Sequence, residues 1–285
     1  MGSKHAVVRW GLVLSLLVVF ASPALAASGR YYVSLGTSLA VGTQPDRLFT
    51  NEGYADQLHR LLQVKDRRLE LVKLGCPDET TVSMITGKQI TGKPSLCTYR
   101  SGSQLKEAVA FLKAKGDAVA LVTIDMGAND LLPCVGEDGD IDVPCLGDAF
   151  GNVNDNLPFI LTALREAAGP GVPIVAMNYY NPFVAAWLRG PDGQDLAHQS
   201  AFLLGQFNDL LEGIYAFFAV PVGDVARAFR SDDFITIVPR IGLPINVVLV
   251  CQLTWMCVPP PQEPDIHPNR SGYFVIALVL AAALR

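Results

Sequence analysis

An α/β domain built on a parallel sheet is what this sequence predicts, and three observations carry it. Short apolar runs alternate with longer segments of helical periodicity, the order that places helices on both faces of a parallel sheet. Half of the 285 residues are hydrophobic and only 17% are charged, enough apolar side chain for a sizeable core. No repeat, low-complexity tract or linker divides the chain.

The first 26 residues read as an address rather than as structure. Lys4 and Arg9 make a positive start, 11–20 is almost wholly apolar, and Ala21-Ser22-Pro23-Ala24-Leu25-Ala26 supplies a breaker and small residues. This is the order of a secretory signal peptide over 1–26, cleaved after Ala26. The expected mature domain is therefore 27–285, secreted. The apolar run is short of the ~20 residues that a membrane span needs.

The first strand is expected at 30–35, a helix at 54–64 and a second strand at 69–74. A helix at 103–115 brings Leu105, Val109 and Leu112 onto one face, and a buried strand follows at 118–124. A helix over 150–168, running through Pro158, leads to a strand at 173–177. A long helix at 195–219 leads to a short fifth strand at 220–225. The last helix, 271–284, is apolar but too short to span a membrane and reads as a buried terminal helix. Two connections are long, 75–102 and 229–264, and long loops in compact domains tend to be functional. Within the second, apolar 241–250 with Trp255 and Met256 suits either a pocket lining for a greasy substrate or ordinary core.

The formal net charge of −5 argues against a sequence-independent nucleic-acid binder, which needs a basic surface to displace phosphate counterions. All six cysteines follow the cleavage point, and an even count in an exported chain suggests disulfides. The count leaves many pairings open. Three local pairs stand out: Cys76 with Cys97, Cys134 with Cys145, and Cys251 with Cys257. Each would stabilise by ~2–3 kcal/mol.

In parallel sheets, sites lie beyond the carboxyl ends of the strands. Gly36-Thr37-Ser38 directly follows the first strand, where a tight turn presents a serine hydroxyl at the sheet edge. Serine is a weak nucleophile and needs a base. Beyond residue 26 the histidines are His59, His198 and His267. The first two fall in predicted helices. His267 sits in Pro264-Asp265-Ile266-His267-Pro268-Asn269, a stiff loop able to hold an imidazole in one orientation. Gly127-Ala128-Asn129-Asp130 follows the strand at 118–124, and the Asn129 amide is a candidate donor to a developing oxyanion. Gly75 follows the second strand, where the missing side chain lets its N–H approach closely; with the Ser38 N–H these make three donors. No metal site is expected: the acidic alternation at 138–142 lacks a calcium loop's glycine and final glutamate. Asn269-Arg270-Ser271 fits a glycosylation acceptor, but its place beside His267 argues against a glycan.

Taken in order, Gly36-Thr37-Ser38, Gly75, Gly127-Ala128-Asn129-Asp130 and Asp265-Ile266-His267-Pro268-Asn269 resemble the blocks of the SGNH (GDSL-type) hydrolases, over nearly the whole mature chain. The resemblance implies a flavodoxin-like three-layer α/β/α sandwich and ester hydrolysis without a cofactor. It implies Ser38 as nucleophile, His267 as general base, and Ser38, Gly75 and Asn129 as the oxyanion hole. The cysteine pairs and Cys76-Pro77-Asp78-Glu79-Thr80 look most like secreted actinobacterial esterases and lipases of this family. There are two departures. Thr37 stands where the family has aspartate, and Pro264 where it has its usual acid, three residues before the histidine. Either Asp265 orients His267 or the Pro264 carbonyl does; Asp265 is the expectation.

The reading is a secreted esterase or lipase acting as a monomer on a small-molecule or lipid ester, with transient contact at a lipid interface. A carbohydrate O-acetyl esterase and a non-catalytic binding protein on the same fold are the alternatives.

Overall fold

The computed structural model describes residues 30–89, 91–136 and 140–284. The signal-peptide reading at 1–26 lies outside them. The chain forms, in order, β1 (Tyr31–Gly36), α1 (Ser38–Val41), α2 (Tyr54–Gln63), β2 (Glu70–Lys73), α3 (Thr81–Thr86), α4 (Gln104–Lys115), β3 (Val119–Asp125), α5 (Ala128–Leu131) and α6 (Val143–Ala168). Next come β4 (Ile174–Met177), a 3-10 helix over Pro182–Arg189, α7 (Pro191–Phe217), β5 (Val222–Gly223) and α8 (Val225–Ala228). The last elements are β6 (Ile237–Val238), β7 (Leu243–Pro244), α9 (Ile245–Leu253), β8 (Thr254–Trp255), β9 (Asp265–Pro268) and α10 (Arg270–Ala283).

The strands β2-β1-β3-β4-β5 form one sheet, parallel throughout. Helix α2 packs on α10, whereas α4 and α7 pack on α6, so helices cover the sheet. This is the predicted α/β/α sandwich. The order reverses between β1 and β3, which opens a crevice at their carboxyl ends.

Every predicted strand and helix is present, with shifted ends. Helix α6 starts well before 150 because Asp142 caps it, accepting from Cys145 N–H at 3.0 Å, with a proline in its first turn. Pro158 stays within it. Helix α10 turns Tyr273, Ile276, Ala277 and Leu280 into the main core, as its apolar spacing requires. Among the described residues no helix is long and apolar enough to cross a membrane.

The two long connections hold structure that periodicity did not announce. Residues 75–102 contain α3, closed at its start by a reciprocal cap between Thr80 and Ser83. Residues 229–264 contain α9 and two small ribbons, β6–β7 and β8–β9. Here the stretch read as core or pocket divides: Val247, Val248 and Val250 are buried, and Val250 and Met256 pack with Val184 and Ala185 in a satellite cluster, whereas Ile241 is exposed. Disulfides join Cys76–Cys97, Cys134–Cys145 and Cys251–Cys257, with Cα separations of 5.9, 5.5 and 5.0 Å.

Candidate active site

Strand β1 ends in the turn that presents Ser38. Gly36 has φ +128°, and a Cβ there would stand 2.0 Å from Asp125 Oδ1, so glycine is required. Gln104 grips Gly36 at both backbone groups, accepting from its N–H at 2.6 Å and donating to its carbonyl at 3.0 Å. The Thr37 hydroxyl donates to Asp125 Oδ2 at 2.6 Å, and its N–H donates to the same oxygen at 3.2 Å. The Tyr54 hydroxyl donates to Asp125 Oδ1 at 2.8 Å. Burial pushes the Asp125 carboxyl up to about 7, against the lowering effect of these bonds. Thr37 thus holds the turn through a carboxylate on β3 rather than through one of its own. Ser38 opens α1 and is half-buried.

His267 stands on β9, antiparallel to β8. Its Nδ1–H donates to Asp265 Oδ1 at 2.7 Å, and its backbone N–H donates to that same oxygen at 2.7 Å. Asp265 therefore reaches the imidazole from two residues away, and Nε2 is left for proton exchange. Burial raises the Asp265 carboxyl, but the bonds and charge of His267 outweigh it and hold the group below its ordinary value. Three side chains pin the strand. The Tyr180 hydroxyl donates to the Ile266 carbonyl at 2.6 Å. Gln44 donates to the Pro268 carbonyl at 3.2 Å and accepts from Trp255 Nε1 at 2.9 Å. Asn269 caps α10 with Oδ1 and donates from Nδ2 to the Gln252 carbonyl at 2.8 Å, so its amide is already engaged.

Asn129 lies on α5, just past β3, and its Nδ2 donates to the Glu79 carbonyl at 3.0 Å, leaving one N–H to spare. The next residue fixes that helix. Asp130 accepts from Thr81 N–H at 2.9 Å and Thr81 Oγ1 at 2.6 Å, and burial raises its carboxyl to about 6. The Glu79 side chain is raised by burial too, and accepts from Ser95 at 3.3 Å and Gln104 at 3.1 Å.

Ser38, Asn129 and His267 line one cavity of about 990 Å³, counted with its open mouth. Helix α1 packs against β9, which brings the serine turn to the histidine strand. Gly75 packs behind the same turn, outside the cavity lining; a Cβ there would meet Ala40 Cβ at 2.6 Å and the Thr37 carbonyl at 3.2 Å. His59 and His198 lie elsewhere. His59 Nε2 is 2.8 Å from the Leu69 carbonyl, and His198 packs on Phe234 with ring centroids 4.2 Å apart.

Sequence reasoning missed Asp125, Gln104 and Tyr180. A signal existed for Asp125, a lone acid closing an apolar strand one residue before Met126-Gly127. None existed for the other two, whose partners lie 68 and 86 residues away. A hydroxyl, an imidazole with its Nδ1 held by a carboxylate, and a spare amide on one cavity are the parts of acyl transfer through a serine.

Comparison with known proteins agrees. The model of the GDSL-like lipase/acylhydrolase family matches residues 34–274. No curated protein matches the chain. Among solved structures, the extracellular lipase of Streptomyces rimosus is similar in fold, with a TM-score of 0.53 at 16% identity over 90% of this chain and 100% of that one. A protein of Parabacteroides merdae described as a GDSL-like lipase gives 0.55 at 13% over 89% and 94%. A variant of an acetyl-xylooligosaccharide esterase from Geobacillus stearothermophilus gives 0.52 at 14% over 92% and 96%. At such identities the likeness is one of fold, whereas the family model spans every block of the site from the serine turn to the histidine loop, and by that match the chain belongs to the GDSL-like lipase/acylhydrolase family.

Proposed function

We propose that the protein is an exported serine esterase that hydrolyses carboxylic acyl esters at Ser38. The meeting of Ser38, Asn129 and His267 on one cavity, with Asp265 bonded to Nδ1, carries the reading. His267 Nε2 takes the Ser38 proton as Oγ attacks the ester carbonyl. The tetrahedral oxyanion accepts from the Ser38 N–H and the Asn129 amide, both on the cavity; Gly75, behind the turn, shapes the close packing there rather than facing the oxyanion. The intermediate collapses, the alkoxide leaves and takes the proton from His267, and the acyl group remains on Ser38. Water then gives its proton to His267 and attacks the acyl carbon. The acid departs and Ser38 recovers its proton. No step needs an ion or a cofactor.

Two features favoured a non-catalytic binder, Thr37 and the displaced acid. Both lose weight here, because Asp125 supports the turn and Asp265 reaches the imidazole. Three disulfides support export, since such bonds persist in oxidising compartments. The test is p-nitrophenyl ester hydrolysis together with fluorophosphonate labelling. The wild type turns over ester and is labelled; folded Ser38→Ala does neither. Turnover retained in that variant overturns the assignment.

A further inference from the structure

The cavity runs from its polar end at Ser38, Asn129 and His267 into an apolar recess. Its apolar lining includes Leu132, Val135, Ile141 and Leu146 from the segment around the Cys134–Cys145 bridge, and Leu203 and Phe207 from α7. Of the polar side chains on this lining, Asn181 and Ser200 are engaged with each other and with backbone, whereas the buried Tyr179 hydroxyl has no hydrogen-bond partner among the described residues. Asn181 donates to Ser200 at 3.0 Å and accepts from Phe183 N–H at 2.9 Å, and the Ser200 hydroxyl donates to the Ala197 carbonyl at 2.9 Å. A sugar hydroxyl entering this recess would lose water and find few partners. A methylene chain would lose nothing.

The segment around the bridge is a closed loop. Cys134 and Cys145 are bridged, Val135 pairs with Ile141, and Asp142 N–H donates to the Cys134 carbonyl at 2.9 Å. The disulfide is itself part of the lining's packing: Cys134, Leu146 and Ala149 cluster with Ile141, Cys145 and Leu203. The bridge therefore ties the segments that carry Val135 and Ile141 to the start of α6 beside the recess.

We propose that this recess is the acyl-chain pocket, that the substrate is an ester of a medium-length aliphatic acid rather than of acetate, and that the Cys134–Cys145 loop sets chain-length selectivity. The proposal rests on ester hydrolysis at Ser38. Each methylene buried against the wall is worth roughly fourfold in kcat/KM until the recess is full.

The experiment measures kcat/KM for p-nitrophenyl acetate, butyrate, octanoate and palmitate. The wild type favours octanoate over acetate by more than about tenfold, at roughly fourfold or less per methylene. Leu203→Trp and Ile141→Trp fill the recess and cut the octanoate-to-acetate ratio at least about tenfold. Cys134→Ala with Cys145→Ala lowers the same ratio by loosening the wall. Val64→Trp, on an exposed position far from the recess, serves as the size control and leaves the ratio unchanged. An acetate-preferring wild type, or filling variants with an unchanged ratio, overturns the proposal whatever the disulfide variant does. Binding to Ser38→Ala separates the two readings. A fluorescent fatty acid displaced by octanoate but not by acetate, and bound more weakly after Leu203→Trp, supports the pocket even if hydrolysis at Ser38 fails; no such binding sinks the pocket even if acetate is cleaved.

Discussion

Asp265 spends one carboxylate oxygen on two donors from a single residue, the ring and the backbone of His267. That bidentate hold fixes both the strand and the imidazole, so Asp265→Ala is expected to lower kcat more than about tenfold with little change in KM, since it acts on the base rather than on substrate. A smaller loss would mean that a backbone carbonyl orients the ring. Asp125 is the opposite case, a buried acid raised to about 7 by loss of solvent. Between an unfolded value near ~3.9 and that folded value, the native protein keeps a proton that the unfolded chain has released. Its contribution to stability is full below the lower value and falls as pH rises through this window. Asp125→Asn cannot ionise, so its stability relative to wild type should climb with pH, at up to ~1.4 kcal/mol per unit, in urea denaturation at pH 4.5 to 7.5. A pH-independent difference would show that Asp125 titrates normally.

Short elements, not long ones, place the chemistry. Helix α1 has four residues, α5 has four and β9 has four. Segments so short are marginal alone and exist because neighbours tie them down. Gln104 on α4 holds the β1 turn, Thr81 at the start of α3 holds α5 through Asp130, and Tyr180 holds β9. The last tie is the simplest to cut. Tyr180→Phe keeps the ring, which stacks on Phe229 at 4.6 Å, and removes only the donor to the Ile266 carbonyl. Thermal denaturation should register a loss of ~1–3 kcal/mol, with a parallel fall in kcat as β9 loosens. A variant that loses stability but keeps kcat would assign Tyr180 to packing alone.

Across the molecule, the sheet order puts the ends of β1 and β3 side by side, and α1 packing on β9 completes the site from the far end of the chain. The disulfides brace the connections around it rather than the sheet itself. One lies in the loop after β2, one in the cavity wall, and one beside β8. Protein recovered from an exporting host should begin at Ala27 by N-terminal sequencing. Unreduced, it should take up no iodoacetamide; clear labelling would refute the disulfide scheme.

Period and punctuation were enough for the long elements, because an apolar run between turn residues has few other ways to bury itself. They also singled out Ser38, Asn129 and His267, each within two residues of a glycine or proline. Short elements carry no period, so α1, α3, α5 and α9 emerged only with the fold. The greasy stretch at 241–250 shows the limit most plainly: hydrophobicity left pocket lining and core open, and packing put Val250 in a satellite core and Ile241 on the surface while Ile141 and Leu203 took the cavity. The sequence by itself determined the sheet, its helices and the chemical identities at the strand ends. Only the tertiary structure decided that Asp125 supports Thr37, that Asp265 reaches the imidazole and that Tyr180 anchors the strand, because hydrogen bonds depend on distance in space and leave no periodic trace along the chain.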